Sequence, residues 1–449
     1  MSRVLPPTGL ALVVLAAACS TPESMPVDAA NQDSVGESQL YAPDRVIATH
    51  HDSFQTPRDS VELPGYNGLT MTLVRNLDGR NSLYELPDQI DPPSAVAALA
   101  DTGEFESISL DYQRAALVPV NDPFFSKQWH LAKLRATVAW DYSIGANITV
   151  AVLDTGYAEN NDRLNAVAPG GYDFINGDGD AADDNGHGTH VSGIIAQKSN
   201  NNIGVAGLAY GATILPIKVL DHQGIGYDSQ IIDGINHAVA SGAHVINMSL
   251  GGATYSAAME SAVNNAWAAG VFLACAAGND GQGQATYPAF YDGCVGVGAT
   301  NYGDGRAPYS NFGLGVAIAA PGGDLTVDAN NDGYADGILQ EANEGAPWGY
   351  LFRDGTSRSA PQVAAAAAML MANGATNDEA LGCLIQTAQA LNNNVDLGAG
   401  LVRPDLALAS YSASTCGQSS PPVCTVSGNA CIANSDCCSG VCRGNGTCK

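Results

Sequence analysis

A hydroxyl, an imidazole and a carboxylate stand in this sequence where they could act on one bond. Ser357 lies in Gly355-Thr356-Ser357-Arg358-Ser359-Ala360-Pro361, just before the apolar run Ala364 to Met371. A serine hydroxyl is a weak nucleophile until a base takes its proton and nearby N–H groups steady the charge that forms. The Ala-rich run predicts a helix whose N-terminus carries Ser357, where unpaired N–H groups favour negative charge. The same residues also suit a plain Ser/Thr cap on a buried helix. Two upstream stretches favour the chemical reading. Ile148 to Leu153 is apolar and β-rich, and ends in Asp154-Thr155-Gly156. A carboxylate at the C-terminal end of a buried parallel strand lies where open α/β sheets gather their chemistry. Asn185-Gly186-His187-Gly188-Thr189-His190 then sets a histidine between glycines where a loop enters a helix. Asp, His, Ser is one of three chain orders in which a carboxylate, a base and a nucleophile make this set.

Together these stretches resemble the subtilisin-like serine proteases (subtilases, peptidase S8), whose signatures look like DTG, HGTH and GTS-x-[SA]-x-P. The resemblance covers roughly residues 121 to 410. It implies a serine endopeptidase that hydrolyses peptide bonds of proteins through an acyl-enzyme. Ser357 would attack the carbonyl, His187 would move the proton, and Asp154 would orient the imidazole. The segment Ala276-Ala277-Gly278-Asn279-Asp280 resembles the family motif whose Asn side chain donates into the oxyanion hole, although Asn279 also suits a simple turn after Gly278. The Ser357 N–H would be the second donor. Arg358 departs from the family, which usually carries Met there. It could reach the leaving-group side or point to solvent.

Substrate contacts are expected from Ser249-Leu250-Gly251-Gly252, where glycines leave the backbone bare for an extended peptide to pair with. Ala277 and Gly278, with Thr286, would wall the pocket for the residue before the cut. No acidic residue falls in these walls, which points to an apolar or broad preference.

These residues need a scaffold that brings distant strand ends together. Helical patterns at His190–Gln197, Ser229–Ser241 and Tyr255–Ala269 alternate with strand-like runs at Thr213–Leu220, His244–Leu250 and Val271–Ala276. That alternation predicts an α/β fold with a doubly wound, mostly parallel sheet and right-handed crossovers. Ahead of it, Gly68–Val74 and Ser82–Leu86 read as strands around an Asp78-Gly79 turn, Pro93–Ala100 as a helix and Phe105–Leu110 as a strand. The small α+β unit at residues 41–116 resembles the family's propeptide, an intramolecular chaperone and inhibitor; a plain structural domain is the other reading. Cleavage is expected between Tyr112 and Asn121.

Composition sets the outer limits. The chain has 449 residues, 45% hydrophobic and 14% charged, enough for a large core and more than one domain. A formal net charge of −27 argues against nucleic-acid partners. Of 11 cysteines, seven follow residue 415, which indicates an oxidising compartment. Residues 1–19 read as a secretory signal peptide, cut either after Ala18 in the ordinary way or at a lipoprotein-like site with Cys19 acylated. The protein is expected to be bacterial, monomeric, and either secreted or anchored as an outer-membrane lipoprotein. A disordered tether (20–40), the catalytic domain (121–412) and a linker (413–423) complete the plan. The tail 424–449 resembles an inhibitor cystine knot, which implies Cys424–Cys438, Cys431–Cys442 and Cys437–Cys448. Cys275 with Cys294, and Cys383 with Cys416, are close enough in sequence to pair.

Asp328, Asn330, Asp332, Gly333, Tyr334 and Asp336 match the spacing of a calcium loop, but position twelve is Leu339 rather than Glu. A structural Ca2+ is one reading and a solvated Asx-rich turn the other. Asp173, Asn176, Asp178, Asp180, Asp183 and Asp184 form a second, less regular acidic cluster. A different class of function is also open: a cell-surface binding protein in which the knot acts and the α/β domain is a degenerate carrier. The presence of Asp154, His187, Asn279 and Ser357 argues for the enzyme.

Overall fold

Two units make up the chain, residues 1–116 and 117–449. The structure, a computed structural model, describes residues 41–51, 58–100, 102–112, 120–343, 349–391, 396–412 and 414–416. The signal peptide, Cys19, the tether and the cystine-knot tail lie outside the described residues.

In the first unit the strands are β1 (Tyr41–Thr49), β2 (Ser60–Glu62), β3 (Thr70–Asn76), β4 (Asn81–Glu85) and β5 (Ser107–Tyr112), with helix α1 (Pro92–Ala100). They form an antiparallel sheet in the order β2-β3-β4-β1-β5. Asp78 Oδ1 accepts the N–H groups of Arg80 and Asn81 and closes the β3–β4 turn. Val46, Ala48, Met71 and Tyr84 pack with Ala95 and Leu99 of α1. β1 escaped the sequence reading because Pro43-Asp44-Arg45 interrupts its apolar pattern; its register against β5 shifts between Tyr41 and Val46.

The second unit opens with short helices α2 (Trp129–Lys133) and α3 (Ala136–Ala139). Strands β6 (Thr149–Asp154), β7 (Ala166–Val167) and β8 (Tyr172–Asp173) precede α4 (His187–Ala196). Then follow β9 (Thr213–Lys218), α5 (Asp228–Ala240), β10 (Val245–Met248), α6 (Ala257–Ala268), β11 (Phe272–Ala276), β12 (Val295–Thr300) and β13 (Ile318–Pro321). The hairpin β14 (Ile338–Ala342) and β15 (Gly349–Arg353) leads into α7 (Thr356–Ala372), α8 (Asn377–Thr387) and α9 (Pro404–Ser412).

The main sheet runs β13-β12-β11-β10-β6-β9-β7, with β8 also on β9, and every pairing in it is parallel. Along β6 the buried side chains alternate: Val150 and Val152 join the core under α4 and α7, and Ala151 and Leu153 the core under α5 and α6. Both sheet faces are thus covered, as a parallel sheet requires. β9 lies on one side of β6 and β10 on the other, so the winding reverses at β6. The crevice at such a reversal is where open α/β sheets bind ligands. Asp154 is the last residue of β6.

α7 is buried from Arg358 through Leu370. Its alanines let the sheet approach closely, and no polar stripe is needed on a helix enclosed all round. Disulfides join Cys275 to Cys294 and Cys383 to Cys416, with Cα atoms 6.1 and 5.1 Å apart.

Candidate active site

Asp154 is fully buried. Its Oδ1 accepts the Thr155 N–H at 2.8 Å and lies 2.7 Å from His187 Nδ1. A carboxylate there fixes the proton on Nδ1 and leaves Nε2 as the basic face of the ring. His187 opens α4, as its place between glycines at a loop-to-helix junction predicts, three residues ahead of the helical pattern at His190–Gln197, and its side chain is 25% exposed. The buried Asp154 and the half-open imidazole therefore meet across two elements.

Ser357 is the second residue of α7, so its N–H has no carbonyl one turn back to bond. Gly355, the helix cap, has φ 128°, a backbone that favours glycine. Ser357 Oγ donates to the Ser249 carbonyl at 3.2 Å, and Ser249 Oγ donates to the Ser357 carbonyl at 2.9 Å. The second bond has a cause in the sequence. Residue 361 of α7 is proline, whose missing N–H leaves the Ser357 carbonyl without its helical donor. Ser249 takes that place and ties the end of β10 to the start of α7.

Asn279 lies in the loop after β11 and is exposed. Its Oδ1 accepts from Thr356 N at 2.8 Å and from Thr356 Oγ1 at 2.9 Å. Those two donors set the amide orientation and leave Nδ2 as the free donor, beside Gly355. Thr356 Oγ1 in turn accepts the Gly278 N–H at 3.2 Å.

The proposed substrate edge needs one correction. Gly252 gives its N–H to Tyr287 O at 2.8 Å and accepts Tyr287 N–H at 2.9 Å, so its pairing capacity is spent inside the protein. Ser249, Leu250 and Gly251 have no such backbone pairing with Tyr287. A Cβ on Gly251 would meet Thr286 Oγ1 at 2.5 Å, and one on Gly278 would meet Asn311 Nδ2 at 2.5 Å. Thr286 donates its N–H to Ala277 O at 2.8 Å, which brings Ala277, Gly278, Gly251 and Thr286 close together.

Arg358 does not point to solvent. It is 4% exposed, and neither Nε nor Nη1 has a hydrogen-bond partner. Burial pulls its guanidinium down to about 10, against the favourable charge of Asp154. The sequence places Asp183 only within an acidic cluster and gives no signal for Lys218. Lys218 is buried on β9, with Nζ donating to Thr155 O, Leu220 O and Asp184 Oδ1 at 2.8, 3.0 and 2.6 Å.

In the calcium-like loop, Asp328 accepts the N–H groups of Asp332 and Gly333, Asn330 that of Asp332, and Asp332 that of Tyr334. Asp336 is buried; Oδ2 accepts Ala329 N–H, and Oδ1 has no hydrogen-bond partner. Among the described residues no three His, Cys, Asp or Glu side chains are gathered as a metal cage. In the second acidic cluster, Asp173 and Asp178 close their own loop by accepting nearby N–H groups.

Residues 145–401 match the family model described as the Subtilase family. The chain belongs to the subtilase family. It is a subtilisin-type serine peptidase, similar to thermitase of Thermoactinomyces vulgaris (35% identical, 61% of this chain and 92% of thermitase). It is also similar to Subtilisin Savinase of Lederbergia lenta (38% identical, 63% of this chain and 98% of that protein). A solved protease of Pseudoalteromonas arctica superposes on 65% of this chain and 99% of its own, with a TM-score of 0.61 and 35% identity. The subtilase fold, with its largely parallel sheet flanked by helices, is the one the alternating pattern predicts.

Proposed function

We propose that this subtilase is a secreted endopeptidase made as a zymogen, with Asp154, His187 and Ser357 as its triad. The 2.7 Å contact between His187 and Asp154, with Ser357 at the helix end, carries the reading. On substrate binding, Ser357 Oγ exchanges the Ser249 carbonyl for His187 Nε2 and gives up its proton as it attacks the carbonyl carbon. The tetrahedral oxyanion is met by Asn279 Nδ2 and the Ser357 N–H. His187 then hands the proton to the leaving amine, and water repeats the cycle on the acyl-enzyme. Leu250 and Gly251 would align the peptide beside Ala277 and Gly278. Release of peptides from an unfolded protein substrate tests this. Asp154→Asn, His187→Ala and Ser357→Ala should each cut turnover by at least about 10⁴-fold; retained activity in any of them removes that residue from the triad.

The signal-like start, the two disulfides and the acidic surplus support export. The antiparallel unit at 41–112, with its own core, suits an intramolecular chaperone and inhibitor. Mass analysis of the exported form should find a mature N-terminus between residues 112 and 121, and would report any acyl chain on Cys19.

A structural calcium would take the loop from Asp328 to Asp336 by closing it around the ion, since its carboxylates are not already gathered as a cage. Asp336 Oδ1 is unpartnered, and with oxygens of Asp328, Asn330 and Asp332 and the Tyr334 carbonyl it would supply the hard donors Ca2+ takes once the ion drew the loop together. Calcium should raise the melting temperature of the wild type, and Asp336→Asn should shrink that gain. An unchanged gain would place the ion elsewhere.

A further inference from the structure

Asp183 stands four residues before His187, outside the proposed triad, and is 6% exposed. Its carboxylate accepts five hydrogen bonds. Oδ1 takes Thr155 Oγ1 at 2.8 Å, Asn185 N at 3.0 Å and Gly186 N at 2.9 Å. Oδ2 takes Thr189 N at 2.9 Å and Thr189 Oγ1 at 2.6 Å. Thr155 adjoins Asp154, while Asn185, Gly186 and Thr189 bracket His187. One side chain thus grips both halves of the carboxylate–imidazole pair.

The local sequence explains why such a group is needed. Gly186 is the cap residue of α4, with φ 108° and no side chain to satisfy the first N–H groups of the helix. Asp183 supplies the missing acceptor to Thr189, the third helical residue. Thr155 Oγ1 donates to Asp183 and accepts Gly188 N–H at 2.9 Å, and Asn185 Oδ1 accepts His187 N–H at 3.1 Å. The start of α4 is therefore bonded to the residue after Asp154 as well as to its own loop. Lys218 adds a second tie between the same two pieces, from Thr155 O to Asp184.

We infer that Asp183 is a positioning residue of the peptidase, holding α4 against the end of β6 so that His187 keeps its register with Asp154. This rests on the triad reading above. A carboxylate suits the task because it is acceptor-only and both oxygens face donors. In Asp183→Asn one oxygen becomes an NH2 that faces N–H or O–H donors, so part of the clamp is lost with little change of volume. A shift of about 1 Å between reacting groups costs on the order of a hundredfold in rate.

The test uses the mature enzyme and compares wild type, Asp183→Asn, Thr155→Val and Thr155→Ser. Readouts are kcat, KM, melting temperature, and the rate at which a serine-directed phosphonate labels the protein. Asp183→Asn and Thr155→Val should lower kcat and the labelling rate at least tenfold at temperatures well below melting, with KM within about twofold. Thr155→Ser, which keeps the hydroxyl, should retain most of the rate. If Asp183→Asn fails to mature, the contrast between Val and Ser at position 155 decides. A lower melting temperature with kcat and labelling within twofold of wild type overturns the inference and leaves Asp183 a stabilising cap. Failure of the triad reading would look different, since wild type itself would then not be labelled at Ser357.

Discussion

At the scale of single residues, the site depends on which groups are left free once internal bonds are counted. Thr356 engages Asn279 Oδ1 twice, so only the Asn279 NH2 faces outward. Asn279→Ala should lower kcat by roughly a hundredfold to a thousandfold with KM little changed, the range typical of an oxyanion-hole donor in enzymes of this class. A matching rise in KM alone would show ground-state binding instead. Arg358 presents the opposite case, a buried cation whose Nε and Nη1 have no acceptor. Each such group costs about 1–3 kcal/mol. Arg358→Met should therefore raise the melting temperature by a few degrees, and a fall would mean that attraction to Asp154 outweighs burial. His130 is buried with neither ring nitrogen hydrogen-bonded, and burial pushes it down to about 3. Its folded value lies below the unfolded one of about 6.5, so its contribution is present above that pH and lost as pH falls toward 3. His130→Leu should make the acid loss of stability shallower in that window, by up to about 1.4 kcal/mol per pH unit. An unchanged slope in pH-dependent denaturant melts would contradict this.

At the scale of elements, α7 shows how one residue type can adjust the proposed nucleophile. Proline at 361 withholds an N–H, and Ser249 fills the gap from another element. Pro361→Ala would restore the helical donor to the Ser357 carbonyl and compete with Ser249. Phosphonylation of Ser357 should then slow, by up to about a hundredfold, in a protein that still melts cooperatively. A wild-type labelling rate would show that the Ser249 tie does not set the position of Ser357. Much of this element was legible in the sequence: the Ala-rich run predicts a buried helix and puts Ser357 at its mouth. The tie to Ser249 was not legible, because it joins residues 108 apart in sequence. The same holds for Gly252. Two bare glycines suggest an open edge, yet Tyr287 already occupies one of them. Local pattern reports what a backbone can do, whereas the partner that uses it is fixed by the fold. Likewise α4 begins at His187 rather than His190: its cap, Gly186, has no side chain, and the acceptor its first turn needs comes from Asp183 in the loop before it.

At the scale of the molecule, alternating apolar runs were enough to read a wound parallel sheet, and the reversal at β6 explains why Asp154 ends where it does. The antiparallel β14–β15 pair has little sequence signature of its own, because its first strand follows directly on an Asx-rich loop whose spacing resembles a metal site. In the first unit the strands beside the Asp78-Gly79 turn and the helix were legible, while β1 was hidden by its proline and charges. One measurement tests the central claim most directly: locating, by peptide mass analysis, the site of a phosphonate adduct on the mature protein. The account predicts a single adduct on Ser357, abolished by Ser357→Ala and strongly slowed by His187→Ala. An adduct on another residue, or labelling that survives Ser357→Ala, would contradict it.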